Sequence, residues 1–120
     1  LYYDTVYLYN CIFEENMPDY SPEGGFGGGL DVIVGELEKS DLITAILYNN
    51  LFIKNHSKYN PEQYTGPNAT ALTVLQGAHV FLINCTFADN LADNLQGGNI
   101  GVIVNATLDC YNSIFSNNEP

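Results

Sequence analysis

The pattern N-x-x-F-x-x-N occurs four times in 120 residues: "NCIFEEN" at 10–16, "NNLFIKN" at 49–55, "NCTFADN" at 84–90 and "NSIFSNN" at 112–118. It returns at intervals of 39, 35 and 28 residues. A constant core with a variable spacer is the signature of a solenoid whose coils differ in loop length. The residues ahead of each motif alternate. Two and four positions before the first Asn lie Leu8 and Val6, Leu47 and Ala45, Leu82 and Val80, then Cys110 and Leu108. That is the inward face of a β-strand. β-branched and aromatic residues favour the strand, and no helix longer than two turns is expected.

A second signal lies between the motifs. "GGGL" (27–30), "GPNA" (66–69) and "GGNI" (97–100) each lead into a further strand, "LDVIV", "ATALTVL" and "IGVIV". Glycine there is expected to permit a tight turn. In the middle copy, Leu72 and Val74 compete as the inward pair. Coils stacked about 4.8 Å apart align equivalent residues into columns. Asn10, Asn49, Asn84 and Asn112 form one expected corner ladder, and Asn16, Asn55, Asn90 and Asn118 a second. Their side chains would satisfy backbone groups that a bend leaves unpaired. Phe13, Phe52, Phe87 and Phe115 form the expected aromatic stack of the core.

These paired motifs, "FEEN", "FIKN", "FADN" and "FSNN" with "GGGL" and "GGNI", resemble the F-x-x-N and G-G-x-[ILV] repeats of the chlamydial polymorphic outer-membrane proteins. They also look like related repeats in large surface proteins of bacteria and protists. The resemblance covers nearly the whole chain, with "GPNA" departing from the glycine pattern. It implies a right-handed parallel β-helix and a surface adhesin or structural role, and it implies no catalytic residue. The expected architecture is all-β, a single segment over residues 1–120 of about three coils. Coils begin near residues 5, 44, 79 and 106. The chain opens inside a strand without an initiator Met, which leads us to expect a piece of a longer chain.

Fourteen acids against three lysines and no arginine give a net charge of −11. Such a chain repels nucleic acid and anionic lipid, and no run of 18 apolar residues offers a spanning helix. Three cysteines is an odd count. Cys11 and Cys85 share a column two coils apart, roughly 9.6 Å and too far for a disulfide. Cys110 lies in an inward column. All three are expected as small buried thiols with no disulfide.

Four N-x-[ST] sequons begin at Asn55, Asn68, Asn84 and Asn105. As ladder residues, Asn55 and Asn84 are expected to be buried, which leaves Asn68 and Asn105 as candidate glycan acceptors in a secreted eukaryotic protein. A calcium site on Glu15, Lys54, Asp89 and Asn117 is interrupted by the lysine. His56 and His79 have no partner at ligand spacing and read as solvated or turn residues. No metal or cofactor is expected.

Parallel β-helices also host polysaccharide lyases and hydrolases, so fold alone does not decide function. A lyase needs cationic groups for the substrate carboxylate, and only Lys54 falls in a corner region. An inverting hydrolase needs facing carboxylates. Asp31, Glu36, Glu38 and Asp41 are the nearest approach, and they lie on a strand edge and a polar loop. The reading is therefore non-enzymatic, with a remnant polysaccharide-active enzyme as an alternative.

The outward positions of the first strand are more informative. Tyr9, Tyr48, Ile83 and Tyr111 precede the ladder Asn, and Tyr7, Ile46, Phe81 and Asp109 lie two residues earlier. A water-facing strand should be polar there. Long loops folding back would explain such a stripe, as would a contact face for protein subunits or, third, for sugar rings. The expected function is a structural module of an extracellular or cell-surface assembly. An adhesin passenger or a carbohydrate-binding β-helix is the alternative.

Overall fold

The computed structural model describes residues 3–17, 28–33, 42–57, 69–92 and 98–119. These are all-β, with no helix among the described residues. The first repeat supplies β1 (Tyr3–Tyr9), β2 (Ile12–Glu14) and β3 (Leu30–Ile33). The second supplies β4 (Leu42–Tyr48), β5 (Leu51–Ile53), β6 (His56–Ser57) and β7 (Leu72–Leu75). The third supplies β8 (His79–Ile83), β9 (Thr86–Ala88), β10 (Leu91–Ala92) and β11 (Ile100–Ile103). The fourth supplies β12 (Thr107–Tyr111) and β13 (Ile114–Ser116).

Each strand pairs in parallel with its counterpart in the next repeat. The orders are β1-β4-β8-β12, β2-β5-β9-β13 and β3-β7-β11, with β6-β10 as a short fourth sheet. The register follows the motif: Tyr9 lies opposite Tyr48, Tyr48 opposite Ile83, and Ile83 opposite Tyr111. Phe13, Phe52, Phe87 and Phe115 are likewise in register.

The core lies where these sheets face one another. Ala45, Leu47, Val80 and Leu82 from the first sheet meet Phe52 and Phe87 from the second and Leu72 and Val74 from the third. All are at most 2% exposed. The phenyl rings stack with centroids 4.6, 4.5 and 5.0 Å apart and planes within 12° of parallel. Phe115, in the last repeat, remains 50% exposed. Deleting an inner phenyl would remove packing worth about 3–5 kcal/mol.

Two expectations about the third sheet are corrected. Leu72, not Ala69, lies opposite Leu30 and Ile100. "GPNA" therefore precedes the equivalent position, which "TAL" (70–72) occupies. The glycines of "GGGL" also serve a different purpose from the one expected. Gly28 and Gly29 have no left-handed backbone angle. A Cβ at Gly28 would lie 2.5 Å from the Thr70 carbonyl oxygen, and one at Gly29 2.4 Å from that of Ala71. Close approach of the next repeat, not turn conformation, requires glycine at these two positions.

Left-handed conformations occur instead at three corners. Asn10, Asn49, Asn84 and Asn112 have φ from 49° to 56°, and Glu15, Lys54, Asp89 and Asn117 from 51° to 53°. The third corner is Gln76–Gly77 in one repeat and Val104–Asn105 in the next. Asparagine tolerates this region; lysine, glutamate and valine are held there at a cost.

Candidate functional site: two asparagine columns and an aromatic face

The corners that set the sheet directions also fix where each asparagine points. Asn16, Asn55, Asn90 and Asn118 form a continuous ladder. Asn55 Oδ1 accepts from the Asn16 backbone N–H at 3.2 Å and from Asn16 Nδ2 at 2.9 Å. Asn90 Oδ1 accepts the same pair from Asn55, both at 3.0 Å, and Asn118 Oδ1 accepts from Asn90 at 3.1 and 2.9 Å. Each Nδ2 also donates to the carbonyl of the phenylalanine one repeat back: Asn55 to Phe13, Asn90 to Phe52, Asn118 to Phe87. Asn55 and Asn90 are 0% and 1% exposed. A buried polar side chain is tolerated when its donors and acceptors are used, as here.

The other column differs. Asn10, Asn49, Asn84 and Asn112 are exposed, which corrects the expectation that Asn84 is buried. The left-handed corner turns these side chains outward, where Asn49 Nδ2 donates to Asn10 Oδ1 at 2.7 Å. The buried work at this corner falls to the next residue, in a column of Cys11, Asn50, Cys85 and Ser113. Asn50 Oδ1 accepts from Cys11 N–H at 2.7 Å and its Nδ2 donates to the Leu8 carbonyl at 2.9 Å. Ser113 Oγ accepts from Cys85 N–H and donates to the Tyr111 carbonyl, both at 3.1 Å. The Cys85 thiol donates to the Leu47 carbonyl at 3.3 Å. Sequence reasoning missed Asn50 and Ser113. The available signal was a small or polar residue directly after every first Asn.

The cysteines are free, but only Cys85 is buried; Cys11 is half-buried and Cys110 exposed. Cys110 occupies the inward column beside Leu82, in the last repeat, where no described strand covers it. Burial pushes the Cys85 thiol above its ordinary range. Of the sequons, Asn84 and Asn105 are exposed, the latter at φ 59°, and Asn55 is buried. Asn68 lies outside the described residues.

Outward on the first sheet, the aromatic stripe assembles into two columns: Tyr7, Ile46, Phe81 and Asp109, then Tyr9, Tyr48, Ile83 and Tyr111. Tyr7, Tyr9, Tyr48 and Tyr111 are 42–55% exposed, and Ile46, Phe81 and Ile83 are half-buried. Tyr7 and Tyr9 stack at 5.9 Å, and Tyr9 meets Tyr48 edge-on at 6.0 Å. His79, expected as a solvated or turn residue, sits on β8. Its Nε2 is 2.6 Å from Asp109 Oδ2, and its ring is 4.2 Å from that of Phe81. The 30-residue separation hides this pair until the register is known.

Lys54 reaches Glu15 at 3.6 Å and Glu14 at 4.0 Å in an exposed cluster. Such surface pairs contribute little to stability. Among the described residues no group of three His, Cys, Asp or Glu side chains converges, and no helix is long and apolar enough to cross a membrane. Asp31, on β3, borders an apolar cleft of about 210 Å³ with Val6, Leu8 and Ile43. Partial desolvation against this cleft pushes its carboxyl above the ordinary range, a shift partly offset by Thr73, while the residue keeps an exposed side. Glu36, Glu38 and Asp41 lie outside the described residues. No family model, curated protein sequence or solved structure matches this chain.

Proposed function

We propose that the chain winds as a right-handed parallel β-helix and serves as a non-enzymatic structural module of a large extracellular or cell-surface assembly, with its aromatic face as a lateral contact. The observation that carries this reading is the in-register stripe of half-exposed tyrosines on a sheet whose other face is core. A soluble sheet face is normally polar. The continuous asparagine ladder and phenyl stack support the helix, as do three parallel sheets that contribute side chains to one core. The motif resemblance to polymorphic outer-membrane protein repeats supports the surface role. Partners are other protein subunits or further coils; nucleic acid is repelled by the −11 charge.

The non-enzymatic reading is supported by Lys54, the lysine among the described residues, lying beside two carboxylates, Glu14 and Glu15. A second reading, a carbohydrate-binding or adhesin β-helix, is favoured by the exposed tyrosine rings, because sugar rings stack on aromatic faces. A glycan panel and a polysaccharide turnover assay test both. We expect no saturable glycan binding and no product release. Saturable binding lost in Tyr48→Ser would install the carbohydrate reading, and released sugar would install an enzyme.

A further inference from the structure

We propose that the partner of the aromatic face is a second copy of this chain, packed sheet against sheet about a two-fold axis that runs along the strands between β4 and β8. The proposal rests on the contact-face reading above and names its occupant.

Charge selects the occupant. The chain carries −11 and no arginine, so two copies repel one another over most approaches. The outward face of the first sheet is different. Its one carboxylate, among the described outward positions from Thr5 to Tyr111, is Asp109, and His79 holds it at 2.6 Å. Two copies can meet here without opposing unpaired acids.

Symmetry then selects the orientation. A face-to-face pair of identical sheets has two simple two-fold axes in the interface plane. One runs across the strands and lays β12 on the partner's β12, setting one Asp109 carboxylate against the other. The second runs along the strands and lays β1 on the partner's β12 and β4 on the partner's β8. In that arrangement Ile46 faces the partner's Phe81, and Tyr7 faces the partner's Asp109. The Tyr7 hydroxyl is a donor and the Asp109 carboxylate an acceptor, so the one charged group meets a hydrogen-bond donor. Packed sheets sit about 10 Å apart, a gap that the half-exposed tyrosines fill. Four strands at about 4.8 Å spacing and five residues at about 3.3 Å give a footprint of roughly 320 Å² per copy. That is in the weak class of interfaces, and we expect dissociation on the order of 100 µM.

Sedimentation of the chain from about 10 µM to 1 mM, with melting curves as a folding control, tests this. The expected result is a monomer–dimer equilibrium that Tyr7→Glu weakens at least tenfold and Tyr7→Lys leaves intact or strengthens. The two variants separate the axes, because only the along-strand axis sets position 7 against Asp109. A chain monomeric at 1 mM overturns the proposal. So does association that responds equally to the two substitutions, or to neither. If the chain is monomeric and also binds no glycan, the second copy is rejected while the contact-face reading stands for another protein. Glycan binding rejects that reading itself.

Discussion

The two asparagine columns begin as the same letter in the same motif and end in opposite places. Asn49 sits at φ 56° on the surface; Asn55, six residues later, is sealed inside with its amide bonded to the repeats on both sides. The first is there for its backbone, because asparagine occupies the left-handed region more readily than other side-chain-bearing residues. The second is there for its side chain, whose one acceptor and two donors match what the bend leaves open. Residue identity within a repeat therefore does not report burial. Its place relative to the left-handed corner decides it: Asn49 occupies that position and is exposed, whereas Asn55 directly follows it and is buried.

The largest effect should come from breaking the buried column. Asn55→Ala leaves the Asn16 N–H, the Phe13 carbonyl and Asn90 Oδ1 short of partners, at about 1–3 kcal/mol each before relaxation. We expect a loss of about 3–5 kcal/mol in chemical denaturation. Asn49→Ala should cost only about 1–2 kcal/mol, the left-handed penalty, and Asn49→Gly should fall within about 0.5 kcal/mol of the natural chain. Equal losses at 49 and 55 would erase the distinction between the columns.

A second contrast sharpens the first by position along the stack. Phe52→Ala, at 0% exposed, should cost about 3–5 kcal/mol, and Phe115→Ala, at 50%, about half of that or less. The thiols give a graded reading without mutation. An alkylating reagent should label Cys110 first and Cys11 next. Cys85 should label only on unfolding, being buried with its thiol pushed up.

The smallest effect is a pH dependence. The Asp31 carboxyl is raised in the folded chain, so its contribution is complete below the ordinary aspartate range and is lost as pH rises through the folded value. Asp31→Asn should therefore raise stability slightly at pH 7 and leave it unchanged at about pH 3. The opposite ordering would mean that the carboxylate is stabilised by its neighbours.

Much of this architecture was legible because it is periodic. One phenylalanine per repeat at a constant offset can only form a column, and the alternation before each motif named Leu47 and Leu82 as core. The third sheet was less legible. Gly28 and Gly29 answer the neighbouring backbone, a demand that Thr70 and Ala71 in the next repeat do not share, so "GPNA" stood in as a false equivalent. Asn84 was misjudged because nothing in N-x-x-F-x-x-N marks which asparagine turns outward. Cys110 was placed correctly on the inward face, but burial depends on what lies above it. The His79–Asp109 pair needed the register of β8 and β12, which no local pattern carries.

Side-chain amide hydrogen exchange, followed by NMR on labelled protein, tests the distinction between the columns most directly. The account predicts strongly protected Nδ2 protons for Asn55 and Asn90, and exchange near the solvent-exposed rate for Asn84 and Asn112. Rapid exchange at Asn55 and Asn90, or protection at all four, would contradict it.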